Sequence, residues 1–229
     1  MRHVGSIQYE DDAVATVPAS SRNVRLRAPV LIILEGVHDV EFLRRLTAKL
    51  HNVDQSIPDL AELERRQRVI FIPFGGGHVL PWAQRFAPLD CPEYHLYDRE
   101  DEPETAVRRE AAQIVNARSG CRALILTKRS LESYLHPTAI FEAGGGEFKG
   151  DRDVDVASSF AQIWYSRDPH LRDWDELSSR ARRRLATQAK RWLNSAAVPY
   201  MTFDRLVEMD PTGEFIEWLR DIGTSADNR

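Results

Sequence analysis

The chain has 229 residues, with 42% hydrophobic and 29% charged side chains, a globular balance that excludes disorder, collagen and coiled coil. That length suits one large domain, or one ordinary domain with an appendage. Thirty-one basic against thirty-five acidic residues leave a net charge of −4, which does not by itself mark a nucleic-acid binder.

Residues 1–28 are polar and aperiodic, and read as an N-terminal arm. PVLIIL (29–34) is a short β-branched apolar run, the signature of a buried strand. Val37 to His51 follows with apolar residues at Val40, Leu43, Leu46 and Leu50, a helical spacing. A polar stretch with Pro58 leads to a second strand, RVIFIPF (68–74), closed by Gly75, Gly76 and Gly77. A helix is expected from about Val79 to Phe86, a third strand at PEYHLY (92–97), a helix from Pro103 to Arg118, and a fourth strand at CRALILT (121–127). Strand and helix alternate, so the sequence predicts an α/β fold with a parallel sheet flanked by helices. Beyond Thr127 the pattern changes. Ser130–Glu142 reads as a helix broken by Pro137, and residues 142–153 as a glycine-rich charged loop. The remainder reads as a helical extension: Val154–Trp164, Trp174–Ala197, Phe203–Glu208 and Gly213–Ile222.

Other classes fall away. The longest apolar run, Ala28 to Leu34, has seven residues, whereas a membrane span needs about 20. The start, MRHVGSIQYEDD, has no apolar stretch of the kind a secretory leader carries, so a cytoplasmic protein is expected. Cys91 and Cys121 are too few to staple the domain or to complete a Cys-rich zinc site, and read as buried thiols.

In open parallel sheets, ligands sit outside the carboxyl ends of the strands. Here the first strand ends in Glu35-Gly36, with Asp39 one turn later. The third ends in Asp98-Arg99-Glu100-Asp101, and the fourth in Thr127-Lys128-Arg129, with Glu132 shortly after. Five or six carboxylates would converge on one edge, and such a cluster repels itself unless a cation joins it. Hard divalent ions take oxygen ligands. Two of them, about 3.5–4 Å apart, can clamp the attacking and leaving oxygens of a phosphodiester. Gly75, Gly76 and Gly77 let backbone approach a phosphate closely, or serve only as a flexible turn.

Charge is also segregated. Residues 90–110 hold eight acidic residues, and residues 180–191 hold six basic ones and no acid. On a helical wheel Arg180, Arg183, Arg184, Lys190 and Arg191 share a face opposite Leu177, Ala181, Leu185, Ala189, Trp192 and Ala196. Such a face is either plain solvated surface or a support for a phosphodiester backbone. Lys128 and Arg129 are further candidate phosphate contacts.

LIILEGVHDVEFLRRL resembles the first motif of the Toprim domain, the fold shared by topoisomerases, bacterial-type primases and OLD-family nucleases, and YHLYDREDEPET resembles its second. With FIPFGGGHV after strand two and KRSLESYLHP after strand four, the chain is most similar to the OLD-family version, well over residues 29–142 and weakly beyond. The resemblance implies a nuclease dependent on Mg²⁺ or Mn²⁺, with two ions. Glu35 would be metal ligand and general acid or base, with Asp98 and Glu100 as ligands of the same ion. Asp39 and Glu132 would hold a second ion, and Lys190 would neutralise a phosphate oxygen. Where the family motif has a second aspartate this chain has Glu100, and Asp101 is the alternative ligand. The resemblance also implies DNA as the favoured substrate over RNA and a role in defence against phage or mobile elements. A separate ATPase partner is implied too, because no G-x-x-x-x-G-K-[ST] sequence occurs here. Assembly with further copies of the same chain stays open. The competing readings are a non-catalytic scaffold of the same fold, and a receiver-like domain with Asp98 as phosphoacceptor and Lys128 as its reporter.

Overall fold

The structure, a computed structural model, describes residues 28–148 and 155–227. The N-terminal arm, but for Ala28, residues 149–153 of the glycine-rich loop, Val154 at the start of the helix expected after it, and residues 228–229 lie outside the described residues. Four strands form one sheet: β1 (Val30–Leu34), β2 (Val69–Pro73), β3 (Glu93–Tyr97) and β4 (Arg122–Ile125). They lie in the order β2-β1-β3-β4, and every pair is parallel, with Leu31 opposite Ile70 on one side and opposite Glu93 on the other. The crossovers are α1 (Val37–His51) and α2 (Leu60–Arg65) after β1, α3 (Val79–Arg85) after β2, and α4 (Glu104–Asn116) after β3. The α/β reading holds.

The strand pattern explains the layers. Successive side chains of a strand point to opposite faces. Val30, Ile32 and Leu34 join a core with Phe42, Leu43 and Leu46 of α1 and with the C-terminal helices as far as Trp218. Leu31 and Ile33 join a second core with Val79 and Ala83 of α3 and Ala111 and Val115 of α4. Both faces of the sheet are thus covered, as apolar strands without alternation require. Each large aliphatic or aromatic side chain so buried is worth about 1.5–3 kcal/mol.

The chain leaves β1 toward β2 on one side and later returns to place β3 on the other. The crevice between the carboxyl ends of β1 and β3 is therefore the switch point where α/β sheets bind ligands. Glu35 follows one of those ends and Asp98 the other.

After β4 come a short 3₁₀ turn (Leu131–Tyr134), α5 (Pro137–Ile140) with a π-type turn (Phe141–Gly145), α6 (Val156–Tyr165), α7 (Ser179–Trp192), α8 (Phe203–Met209) and α9 (Glu214–Asp227). Four sequence expectations need correction. Pro137 opens α5 at its first position instead of breaking a helix, because the amide it lacks is unpaired there anyway. The helix expected over Trp174–Ala197 is interrupted: Ser178 is extended and its hydroxyl accepts from the Ala181 amide at 3.2 Å, so α7 starts afresh. The polar stretch around Pro58 contains α2, capped by Asp59, whose carboxylate accepts from the Glu62 amide at 3.0 Å. Cys91 and Cys121 are free and only partly buried, not core thiols. Among the described residues no helix is long and apolar enough to cross a membrane.

Candidate active site

The site is assembled from three strand ends and α7. Behind β1, the Gly36 amide donates to Asp39 Oδ2 at 2.7 Å. That bond folds the Asp39 carboxylate back over the first turn of α1, where it is buried. Behind β4, the 3₁₀ turn carries Glu132 inward until it is 1% exposed. Both face Lys190 of α7, whose Nζ lies 2.6 Å from Asp39 Oδ1 and 3.6 Å from Glu132 Oε1. Among the described residues, those two buried oxygens have no partner besides this ammonium.

Lys190 corrects the helical-wheel picture. Arg180, Arg183, Arg184 and Arg191 are exposed as expected, but Lys190 turns inward. Its position follows from packing. Trp192, two residues on, stacks on Phe160 with ring centroids 4.9 Å apart and meets Trp164 at 4.7 Å. These contacts seat α7 against α6 and aim Lys190 at the sheet edge.

Asp98 ends β3. Asp98, Glu100, Arg129, Glu132, Asp155 and Lys190 are among the residues lining a cleft of about 250 Å³. Glu100 faces that cleft, with Oε1 3.5 Å from Arg108 and Oε2 3.7 Å from Arg129. Asp101 is turned outward and bonds Arg129 at 3.1 Å. Arg108 of α4 reaches across to Glu35, Nη2 to Oε1 at 2.7 Å. The side chain of Arg108 is only 7% exposed.

The electrostatics follow from these positions. Burial pushes the Asp98 carboxyl well above the usual carboxylate range; the charges of Glu35, Asp39 and Glu132 add to the push, and Lys190 opposes it. Burial also raises Glu132 against the pull of Lys190, and raises Glu35 against the bond from Arg108. Burial alone would lower the Lys190 ammonium. The charges of Glu132, Asp39 and Asp98 outweigh it and hold the group protonated. Four carboxylates thus share two cations, Lys190 and Arg108. The donor set is hard oxygen and under-compensated, with two buried oxygens that depend on the one ammonium; those are the properties a divalent cation such as Mg²⁺ or Mn²⁺ matches. Among the described residues, no three of the acidic groups are already drawn to metal-ligating spacing; the two cations hold them instead.

Other expected residues lie further off. Gly75, Gly76 and Gly77 have φ of +84°, +74° and +84°, a conformation that strains any other residue. The Gly75 amide donates to the Glu35 carbonyl at 2.8 Å, tying the ends of β1 and β2, but the triplet does not line the acidic cleft. Lys128 donates to the Ser133 carbonyl at 2.9 Å and lies over the Tyr134 ring, away from the cleft lining. Arg129 does line it.

Sequence reasoning missed Arg108 and Asp155. The signal for Arg108 was present: Thr105, Arg108, Ala111, Ala112 and Val115 form the buried stripe of α4, so one arginine occupies a core-facing helical position. Asp155 had no comparable signal; it caps α6, its Oδ1 accepting from the Ser158 amide at 3.1 Å.

No family model matches the chain, and no curated protein matches it. Among solved structures, the C-terminal region of the OLD protein of Xanthomonas campestris pv. campestris is similar over 87% of this chain and 98% of that one, at 17% identity with a TM-score of 0.44. The C-terminal region of the Burkholderia pseudomallei OLD protein is similar over 85% of this chain and 86% of that one, at 15% identity with a TM-score of 0.34. The site's own residues, not these likenesses, carry the chemistry.

Proposed function

We propose that this chain is a divalent-metal-dependent nuclease that hydrolyses phosphodiester bonds, with DNA the favoured substrate. The observation that carries the reading is the convergence of Asp39, Asp98 and Glu132 from three strand ends on Lys190, at the switch point of the sheet, with more negative charge than the chain itself neutralises. Asp98, Glu100 and Glu35 would hold one Mg²⁺ or Mn²⁺ ion, and Asp39 and Glu132 a second; Glu100 is preferred to Asp101 because it faces the cleft. Bound ions of this kind supply an activated water and offset charge on the phosphoryl oxygens.

The chain's own residues do the rest. Lys190, freed from Asp39 and Glu132 as they take other partners, presents a fixed positive charge to a phosphate oxygen. Arg129, on the cleft wall, orients the same group by paired N–H donors. Arg108 fixes the rotamer of Glu35, which moves the proton at the reacting oxygen. The exposed Arg180, Arg183 and Arg184 support the nucleic-acid backbone without reading sequence. Any ATP hydrolysis coupled to cleavage would come from outside these 229 residues.

A plasmid-cleavage assay tests this. Supercoiled DNA and a structured RNA are each incubated with Mg²⁺ or Mn²⁺ and either wild type or Glu35→Ala. Metal-dependent cutting of the DNA, absent in the variant, is expected. Cutting that persists in Glu35→Ala removes Glu35 from the mechanism.

The scaffold reading has one observation in its favour: Lys190 and Arg108 already tie the carboxylates together. A folded protein that cuts neither substrate and takes up no metal would favour it.

A further inference from the structure

A second, larger cleft opens beside the acidic one. It has a volume of about 580 Å³. His38 and Arg191 on its wall are the chain neighbours of Asp39 and Lys190, the ion pair of the acidic site. The two clefts therefore lie to either side of one contact between α1 and α7.

The lining of the second cleft combines cationic and apolar side chains. Arg44, Arg45 and Arg191 contribute three positive charges against the single carboxylate of Glu41. Arg44 is committed to the fold: it bonds Glu64 through two nitrogens at 2.6 and 2.7 Å and meets Glu41 at 2.6 Å. Arg45 is held loosely, 3.7 Å from Glu41 and 3.4 Å from the Asn194 carbonyl. Arg191 is exposed and has no ion pair among the described residues. Val37, Phe71 and Pro73 add apolar surface to the lining, and the Arg44 guanidinium lies over the Phe71 ring, 5.3 Å from its centre. Asn194 pins the two helices, its Nδ2 donating to the His38 carbonyl at 2.8 Å. Its Oδ1 is buried without a hydrogen-bond partner.

Cations beside an aromatic ring in a concave surface are what a single nucleic-acid strand requires: charge for the phosphate and a π-face for the base. We infer that this cleft receives the nucleotide next to the scissile phosphate, with Arg45 and Arg191 on its phosphate and Phe71 against its base. The inference rests on the nuclease reading and deepens it. The acidic cleft repels a polyanion. This neighbouring subsite holds the strand while the scissile phosphate is brought over the carboxylates.

The test is binding in EDTA, where no cleavage occurs. Fluorescence anisotropy of a short fluorescein-labelled single-stranded oligodeoxynucleotide, and of its RNA counterpart, is measured across a salt series. Arg45→Ala/Arg191→Ala is expected to weaken binding about tenfold and to flatten the salt slope by about 0.7, one phosphate no longer neutralised. Phe71→Leu is expected to weaken binding about fivefold with the slope unchanged, because stacking releases no counterion. Arg191→Gln keeps a polar side chain and serves if the double variant melts early. Arg66→Ala, a lost charge on an exposed arginine of another surface, should bind as wild type.

Wild-type affinity and slope in the Arg45/Arg191 variants would overturn the inference, as would a wild type that binds neither oligonucleotide. The plasmid assay is read separately. Cutting by wild type with unaltered binding in the variants removes this subsite and keeps the nuclease. Selective loss of binding without any cutting keeps the subsite and removes the reaction.

Discussion

A carboxylate stands near each end of β3, Glu93 fully buried at its start and Asp98 part-buried, and the two behave oppositely. Glu93 accepts from Arg118 through both oxygens and lies 2.9 Å from His95 Nε2. The Tyr97 hydroxyl closes the chain on His95 Nδ1 at 2.9 Å. Burial is the largest influence on Glu93 and would raise it, but the bonds from His95 and Arg118 prevail, and the carboxyl is held below its usual range. Asp98, just past the other end, has no such set of donors among the described residues. Burial and three neighbouring carboxylates push it up. A buried acid that serves the fold is matched by the chain that buries it. A buried acid that serves a ligand is left under-compensated, and its displaced titration marks it as a functional candidate.

The comparison can be broken by mutation. The largest expected effect is at Glu93. Glu93→Gln leaves Arg118 facing a neutral amide in the core, and breaking a buried pair costs about 3–5 kcal/mol; urea unfolding at neutral pH checks this. Because the folded Glu93 titrates below the ordinary value of 4.5, its contribution is complete above that pH and is lost as the pH falls through the lowered value. Wild type should therefore lose stability in that acid range more steeply than Glu93→Gln. Equal steepness would remove Glu93 as a source of acid sensitivity.

Lys190→Met comes next. It removes the cation shared by Asp39 and Glu132, and a loss of about 3 kcal/mol at neutral pH is expected. The raised carboxyls of Asp98 and Glu132 cost stability when ionised, so the deficit should shrink as the pH falls and they protonate. A deficit that grows in acid would contradict the assigned charge balance.

Asp98→Asn reverses the sign. Removing one charge from a self-repelling cluster should stabilise the protein by about 1 kcal/mol while abolishing cleavage, the trade-off expected of a strained functional site. Thermal melting and plasmid cutting on the same preparation check both halves. A destabilised Asp98→Asn would place Asp98 with Glu93, among the acids that serve the fold.

The smallest effect is at a helix cap. Asp210 Oδ2 accepts from the Phe215 and Ile216 amides at 3.1 Å, so Asp210→Ala should cost about 1 kcal/mol. Calorimetric metal binding should be unchanged, because this carboxylate starts α9 and does not line the acidic cleft.

These outcomes show what a sequence can carry. The four strands were legible because each is a short run rich in apolar residues, buried throughout in the central β1 and β3 and part-exposed in the edge strands β2 and β4, and their parallel direction follows from the intervening helices. Once the strands are placed, Glu35, Asp98 and Glu132 lie at their carboxyl ends by position alone. Arg108 was legible as a core-facing arginine on the α4 stripe, but its partner was not, because Glu35 is 73 positions away and only the crossover brings them together. Lys190 was legible as a charge but not as an inward one. Its direction is set by how Trp192 stacks on Phe160 and Trp164, a tertiary contact that a helical wheel does not contain. The six residues of α2 fall below the length at which helical periodicity can be read.

The central claim is that the chain leaves negative charge at the sheet edge for a divalent ion to neutralise. Calorimetric titration of Mn²⁺ into wild type and into folded Asp98→Asn tests it directly. Saturable heat in wild type, lost in the variant, is the predicted result. No heat in wild type, or equal heat in both, would contradict it.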